Sequence, residues 1–428
     1  MRLALSLLLI TSIILLIPIQ STAGEIEQRL KSIENENRQL KEVIQELQQR
    51  LDAIEKKSLD KPEKQTQKTL DERINALEKK TTEAWLPSLK GEKIKIGGEL
   101  EFEYRDVQNE KGHAAGSTGS PYGQFQIDKF ELYLEAKLQE DVTLYTEIKT
   151  DPDETKLDEA HITFSALPLD SYLRLGLQDR FIKPSRKTET YPIAGTAFWR
   201  DKDIGMIIGG EIKPFYYRLS VSNGLRLSTK EIGEDASFKI IQDDDDNKDY
   251  NNSKEFGIGI GYKDKFMKDH KIDLLLFSYL SSLSDADISF LKTNLPGYTS
   301  NKDTNTMFGG TLEYRFKEFS LFSQYIYSED GSLERHAWYI QPSYKFKIEG
   351  IRYLQAVEPL YRHEDYNVNH PPSASKSVTW DRERNTFAFI IDLVDNLKIK
   401  LEYNINDEDT GGADVKNNEF IGQVEVKF

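Results

Sequence analysis

The chain has no cysteine, which excludes disulfides, thiolate metal sites and a lipid-anchored amino-terminal cysteine. Beyond its first 23 residues it also lacks the run of about 18 consecutive apolar residues that a membrane helix needs. Any further insertion into a bilayer therefore has to use strands. Neither a metal-spaced histidine pair nor a serine-centred elbow occurs, so no enzyme, cofactor or metal is expected. Basic residues are outnumbered 57 to 72, for a net charge of −15 at pH 7, and nucleic acid is not an expected partner. Aromatic residues, by contrast, are plentiful at 11%.

The opening "MRLALSLLLITSIILLIPIQSTAGE" places Arg2 before a long apolar stretch and then Ser21-Thr22-Ala23, the small-x-small pattern ahead of a signal-peptidase cut. Residues 1–23 are read as a secretory signal peptide, with an uncleaved anchor helix as the alternative. In residues 24–60, Ile26, Leu30, Ile33, Asn37, Leu40, Ile44, Leu47, Leu51 and Ile54 recur at steps alternating four and three. That is an unbroken a/d heptad, with Leu30, Asn37, Ile44 and Leu51 at a. So narrow an apolar seam calls for a partner helix, and Asn37 would fix register and strand number at a cost in stability. A single helix lying on the rest of the chain is the alternative. Residues 61–92 form a linker with a short helix, broken by Pro62, resumed through Leu70, Ile74 and Leu77 and ended by Pro87. The one-charge acidic excess of residues 24–92 cancels Arg2, so the whole −15 falls on residues 93–428.

From Lys93 the helical period gives way to period two. "KIKIGGELEFEYR" sends Ile94, Ile96, Leu100, Phe102 and Tyr104 to one face and Lys95, Glu99, Glu101, Glu103 and Arg105 to the other. Fifteen further segments read the same way, among them "EFGIGIGY", "YLQAVEPLYRH", "LKIKLEYNI" and the final "EFIGQVEVKF". Connections after even-numbered strands are short, such as "KP" and "KE", whereas those after odd-numbered strands are mostly long, acidic and rich in Asn and Gly. Aromatics gather near strand ends, as at Tyr104, Tyr262, Phe316, Tyr403 and Phe428. An even strand number, short turns on one side and long loops on the other suit a barrel that begins and ends on one side of a membrane. The expected fold is all-β: a 16-stranded antiparallel transmembrane β-barrel over residues 93–428, preceded by an N-terminal α-helical coiled coil in the periplasm.

Such a barrel leaves a water-filled lumen, and its inward positions carry both signs, among them Glu147, Glu159, Arg174, Arg218, Glu358 and Arg362. His161, beside Glu159 in "EAHITFS", is read as an ordinary lumen residue. The third long connection is different. "RFIKPSRKTETYPIAGTAFWR" holds Arg180, Lys183, Arg186, Lys187 and Arg200 against a single acid, Glu189. Folded inward, it would form a positive constriction that, with Arg174 and Arg218, attracts anions. Left outside, it is a solvated basic loop.

At this point the sequence resembles a known family. "LDEAHITFSALPLDSYLRLGLQDRFIKPSRKTETYPIAGTAFWRDKDIGMIIGGE" is similar to the middle of the phosphate-selective porin O/P family, where a strand, a "G-x-x-x-x-F-x-x-P" step and a long inward loop precede the next strand. "YYRLSVSNG", "WYIQPSYKF" and "LKIKLEYNI" resemble that family too, as does a coiled coil ahead of the barrel. The resemblance implies a homotrimeric porin of the bacterial outer membrane whose third loop narrows the pore. It departs from the family's extended basic lining in having an inward face of mixed sign. Phe428 resembles the carboxyl-terminal signature of outer-membrane barrels, whose last strand serves as an assembly signal. The function expected is passive diffusion of small hydrophilic solutes, with anions such as phosphate preferred through the basic loop. A structural anchor whose coiled coil tethers the outer membrane to the cell wall is the alternative.

Overall fold

A computed structural model describes residues 93–428 apart from 109–122, 151–154, 184–185, 199–201, 233–235, 244–252, 268, 296, 370–380 and 410–416. The signal peptide, the heptad from Ile26 to Ile54 with Asn37, and the linker lie outside the described residues.

Nineteen strands are described: β1 (Ile94–Val107), β2 (Gln124–Gln139), β3 (Val142–Thr150), β4 (Thr155–Leu167), β5 (Ser171–Asp179), β6 (Lys202–Ile212), β7 (Phe215–Ser222), β8 (Arg226–Ile232), β9 (Ala236–Asp243), β10 (Glu255–Asp264), β11 (His270–Ser282), β12 (Thr304–Phe316), β13 (Phe319–Asp330), β14 (Leu333–Tyr344), β15 (Phe346–Lys347), β16 (Ala356–Asn369), β17 (Asp381–Val394), β18 (Leu397–Asp409) and β19 (Glu419–Lys427). Sixteen of them make a closed antiparallel wall in which each pairs with the next, β7 with β10 and β14 with β16, and β19 returns to β1. The two-residue β15 continues β14, and β8 with β9 forms a separate hairpin within a long loop. All sixteen stretches expected as strands are therefore strands. Several run longer than expected, among them β4, β11, β17 and β18, and β16 is displaced: it starts at Ala356 instead of Tyr353 and runs to Asn369. Its outward residues beyond Tyr361 are His363, Asp365 and Asn367, which hide the alternation, while Glu364, Tyr366 and Val368 stay buried on the inward face.

Period-two alternation sorts the side chains by solvent. On β10, Phe256, Ile258 and Ile260 face outward and are exposed, whereas Gly257, Gly259 and Gly261 face inward and are buried. Glycine is required there by close approach: a Cβ on Gly259 would stand 2.8 Å from the Phe181 ring. The rest of the outer surface follows suit, with Ile96, Phe125, Leu276, Phe308 and Phe389 exposed. A soluble protein would bury such residues.

Two helices lie in long loops, α1 (Ile193–Phe198) between β5 and β6 and α2 (Asp285–Asn294) between β11 and β12. The second begins with a capping box: Asp287 N–H donates to Ser284 Oγ at 3.1 Å, and the Asp287 carboxylate accepts from Ser284 N–H at 2.9 Å. The same carboxylate accepts from Leu227 N–H in β8 at 3.0 Å, joining two loops. Apolar side chains from β11–β14 and β16, including Phe277, Tyr279, Met307, Phe322 and Tyr366, pack with both helices into a buried core inside the wall.

The seam is closed by register. Glu99 to Val107 pair with Lys427 to Glu419, and beyond that ladder Phe428 N–H donates to Gly98 O at 3.0 Å while Gly98 N–H donates to Phe428 O at 2.9 Å. The Phe428 ring stacks on Phe130, centroids 6.2 Å apart, over Gly98, where a Cβ would come within 2.8 Å of its Cε2. Deleting Phe428 is expected to cut the yield of folded barrel several-fold on semi-native gels, with the unit conductance of channels that still insert unchanged; equal yields would remove the seam from assembly.

Candidate pore constriction

The third loop leaves β5 at Asp179 and crosses the lumen. Phe181 stacks on Tyr279 of β11 at 5.0 Å between centroids, and the Ile182 carbonyl accepts from Gln324 Nε2 of β13 at 2.9 Å. The next residues reach β16, eight strands from β5 and so half-way round the wall. Arg362 of β16 donates to Thr188 Oγ1 at 2.5 Å and to the Thr190 carbonyl at 3.0 Å. Glu364 accepts from the Ile193 amide at 2.6 Å, and Arg384 of β17 donates to the Tyr191 carbonyl at 2.5 Å. From β18, Glu402 accepts from the amides of Glu189 at 2.8 Å and Thr190 at 3.3 Å. Six of the loop's backbone polar groups, which a lumen seat removes from water, are thus satisfied by side chains of the far wall.

Arg362 and Arg384 both pair with Glu364, at 2.9 and 2.6 Å, with all three buried. This cradle was not expected from sequence as a unit. Its signal is the alternation of charges two residues apart on one face, Arg362 with Glu364 and Arg382 with Arg384.

The expected loop cations are in the lumen, and each described one faces a carboxylate. Arg180 meets Glu255 at 2.6 Å, Lys183 meets Asp179 at 2.7 Å, and Arg186 meets Glu189 at 2.6 Å and Glu101 at 3.5 Å. Lys187 Nζ is 2.5 Å from Glu358, donates to Ser320 Oγ at 2.7 Å and Ser343 Oγ at 3.0 Å, and lies 5.0 Å from the Phe322 ring centroid. Burial pulls the Lys187 ammonium below its ordinary range even against Glu358. Burial works to raise the Glu189 carboxyl, yet Arg186, Lys400 and Arg105 outweigh it and hold the group below the usual carboxylate range. The local excess of positive charge read from the loop is therefore neutralised by the wall. Arg200 lies outside the described residues.

Arg174 and Arg218 are placed differently. They sit on β5 and β7, half-buried on the inward face, and neither has an ion-pair partner among the described residues. Tyr172 lies between them, its ring centroid 5.8 Å from the Arg174 guanidinium carbon and 5.6 Å from that of Arg218, which also lies 5.0 Å from the Tyr216 ring.

No family model matches the chain, and no curated protein matches it. Solved structures do. OprB of Pseudomonas putida shares 9% identity at a TM-score of 0.55, over 79% of this chain and 95% of that one. The outer-membrane protein OmpT of Vibrio cholerae, in its trimer form, shares 11% at 0.50, over 78% and 99%. The outer-membrane channel DcaP of Acinetobacter baumannii shares 12% at 0.50, over 78% and 97%. At these identities the likeness is one of fold, and it spans the barrel.

Replacing Arg362 by Ala would leave a buried carboxylate and a loop carbonyl without that partner. The expected loss is about 3–5 kcal/mol of stability, read as an earlier unfolding midpoint in detergent, together with larger fluctuations of open-channel current as the loop loosens. Arg362→Lys, which lacks the guanidinium fork, is expected to recover only part of it.

Proposed function

We propose that this chain is a passive diffusion pore of the bacterial outer membrane, narrowed by its third loop and open to small hydrophilic solutes. The observation that carries the reading is a closed sixteen-stranded wall, apolar outside, whose lumen is crossed by a polar loop. Closure leaves no strand edge for lipid to face, and barrels of this size enclose a channel. Wall residues away from the loop's far seat, such as Tyr133, Glu147, Arg174 and Arg218, stay half-buried, as the lining of an aqueous path would. The fold likeness to outer-membrane proteins supports the same location. Assembly as a homotrimer belongs to this reading through the porin O/P resemblance and the heptad, which calls for further copies of the chain.

Anion attraction, expected of the loop, is assigned here to Arg174 and Arg218, because the loop's described cations are engaged by carboxylates. Guanidinium forks suit oxyanions, phosphate among them. No catalytic role is assigned to His161, whose Nε2 is 3.4 Å from Glu159 and whose ring stacks on Tyr145 at 5.1 Å.

The test is a planar bilayer with a salt gradient. The purified chain is expected to form ohmic channels, and Arg174→Ala with Arg218→Ala to shift the reversal potential toward cation permeation, whereas Lys183→Ala moves it little. Absence of channels would refute the pore; a shift from the loop lysine and none from the wall arginines would return the anion role to the loop.

A further inference from the structure

The inward wall changes sign between β4 and β5. On β2–β4 carboxylates converge, with oxygens of Glu131, Glu147 and Asp158 within 4.8 Å of one another and Glu159 close to His161. Tyr133 donates to Glu131 at 2.5 Å and Tyr145 to Glu147 at 2.8 Å. Lys129 stands 3.0 Å from Glu131, and Lys202 pairs with Asp158. Lys149 stands opposite Glu131 in register, so four carboxylates face three ammonium groups and the arc keeps one negative charge in excess, with Glu147 lacking a basic partner within ion-pair distance among the described residues.

The arc on β5–β7 has the opposite character. Arg174 and Arg218 rest on Tyr172 and Tyr216 with no carboxylate within ion-pair distance among the described residues, the nearby Asp273 accepting instead from the Tyr216 hydroxyl at 2.7 Å, and Arg174 Nε is buried without a hydrogen-bond partner. The Tyr172 ring itself lies over Gly209, where a Cβ would come within 2.7 Å of it. The arcs are contiguous. Tyr145 pairs in register with His161 and His161 with Gly176, and Arg174 is the next residue of β5 on that face.

We propose that this divided wall is a transit site for zwitterionic solutes, the ammonium end drawn to Glu147 and its neighbours and the carboxylate end to Arg174 and Arg218; it rests on the diffusion-pore reading. A simple anion is attracted by one arc and repelled by the other, as is a simple cation. A zwitterion gains at both, through charge-assisted hydrogen bonds. Glu147 pairs in register with Glu159 and Arg174 with Thr163, four residues further along β4, so the two groups are offset by roughly 13 Å along the strands as well as by two strand spacings across, and their long side chains close part of that separation. A short peptide fits that spacing better than an α-amino acid. Two modest attractions raise local concentration without trapping the solute, as passage requires.

Liposome swelling with the full chain tests this, comparing glycylglycine with the neutral N-acetylglycinamide of similar size. The wild type is expected to admit the dipeptide several-fold faster than the neutral solute. The ratio should fall to near one both in Glu147→Gln and in Arg174→Gln with Arg218→Gln, and be largely kept in Arg174→Lys with Arg218→Lys, each variant first shown to be folded by heat-shifted gel mobility. A wild-type ratio of one, or a ratio that survives either neutralisation, overturns the proposal while leaving the pore intact. Entry of neither solute overturns the pore itself.

Discussion

A strand that ends a sheet exposes a row of unpaired amides and carbonyls, and in hydrocarbon each such group costs several kcal/mol. The pairing of β19 with β1 removes that row, and the remaining architecture depends on it. Strands must be even in number for both ends of the wall to meet antiparallel on one side. Turns on that side must be tight, as at 213–214 and 317–318. The longest excursions leave from the other rim, and one of them, between β5 and β6, folds back through the lumen.

Its descent brings a second problem. A loop of some twenty residues carries backbone groups that a barrel interior does not satisfy by itself. Here side chains from β13 to β18 take that part, and they do so in charged combinations: two guanidiniums on Glu364, an ammonium held by Glu358 and two hydroxyls, a carboxylate that accepts two consecutive amides. Pairs of this kind rarely add much net stability, since both partners lose water, but breaking one is costly. They act as a specification of place. The loop has a single seat because displacing it strands several buried charges together.

The wall was legible in the sequence because one face of every strand is apolar over most of its length, and period two survives the glycines of β10 and the prolines of β14 and β16. The end of β16 was not, since Asp365 and Asn367 break the apolar row where the strand leaves the greasy belt. Neither loop helix was expected: "IAGTAF" carries no capping signal, and the Ser284-x-x-Asp287 pattern of a capping box ahead of α2 lies in a stretch read only as a long connection. The loop's positive charge was visible, but its partners were not. Lys187 and Glu358 are 171 residues apart in the chain, and no local pattern says that two such residues will meet. Arg174 and Arg218 differ from the loop cations in finding no carboxylate within ion-pair distance among the described residues, which no local pattern announces, although the tyrosines they rest on, Tyr172 and Tyr216, stand only two residues away in the chain.

The glycine row of β10 has a consequence for the bore. Rings from three different elements, Tyr216, Tyr279 and Phe181, settle on Gly261, Gly257 and Gly259 in turn, so that strand works as a sill with its furniture supplied by others. Phe181 is the first aromatic of the inward loop, and its stacking on Tyr279 over Gly259 anchors the start of that loop. The aperture is in this sense gauged by a residue with no side chain: any atom added at Gly259 would lift the ring, and the loop would swing on it.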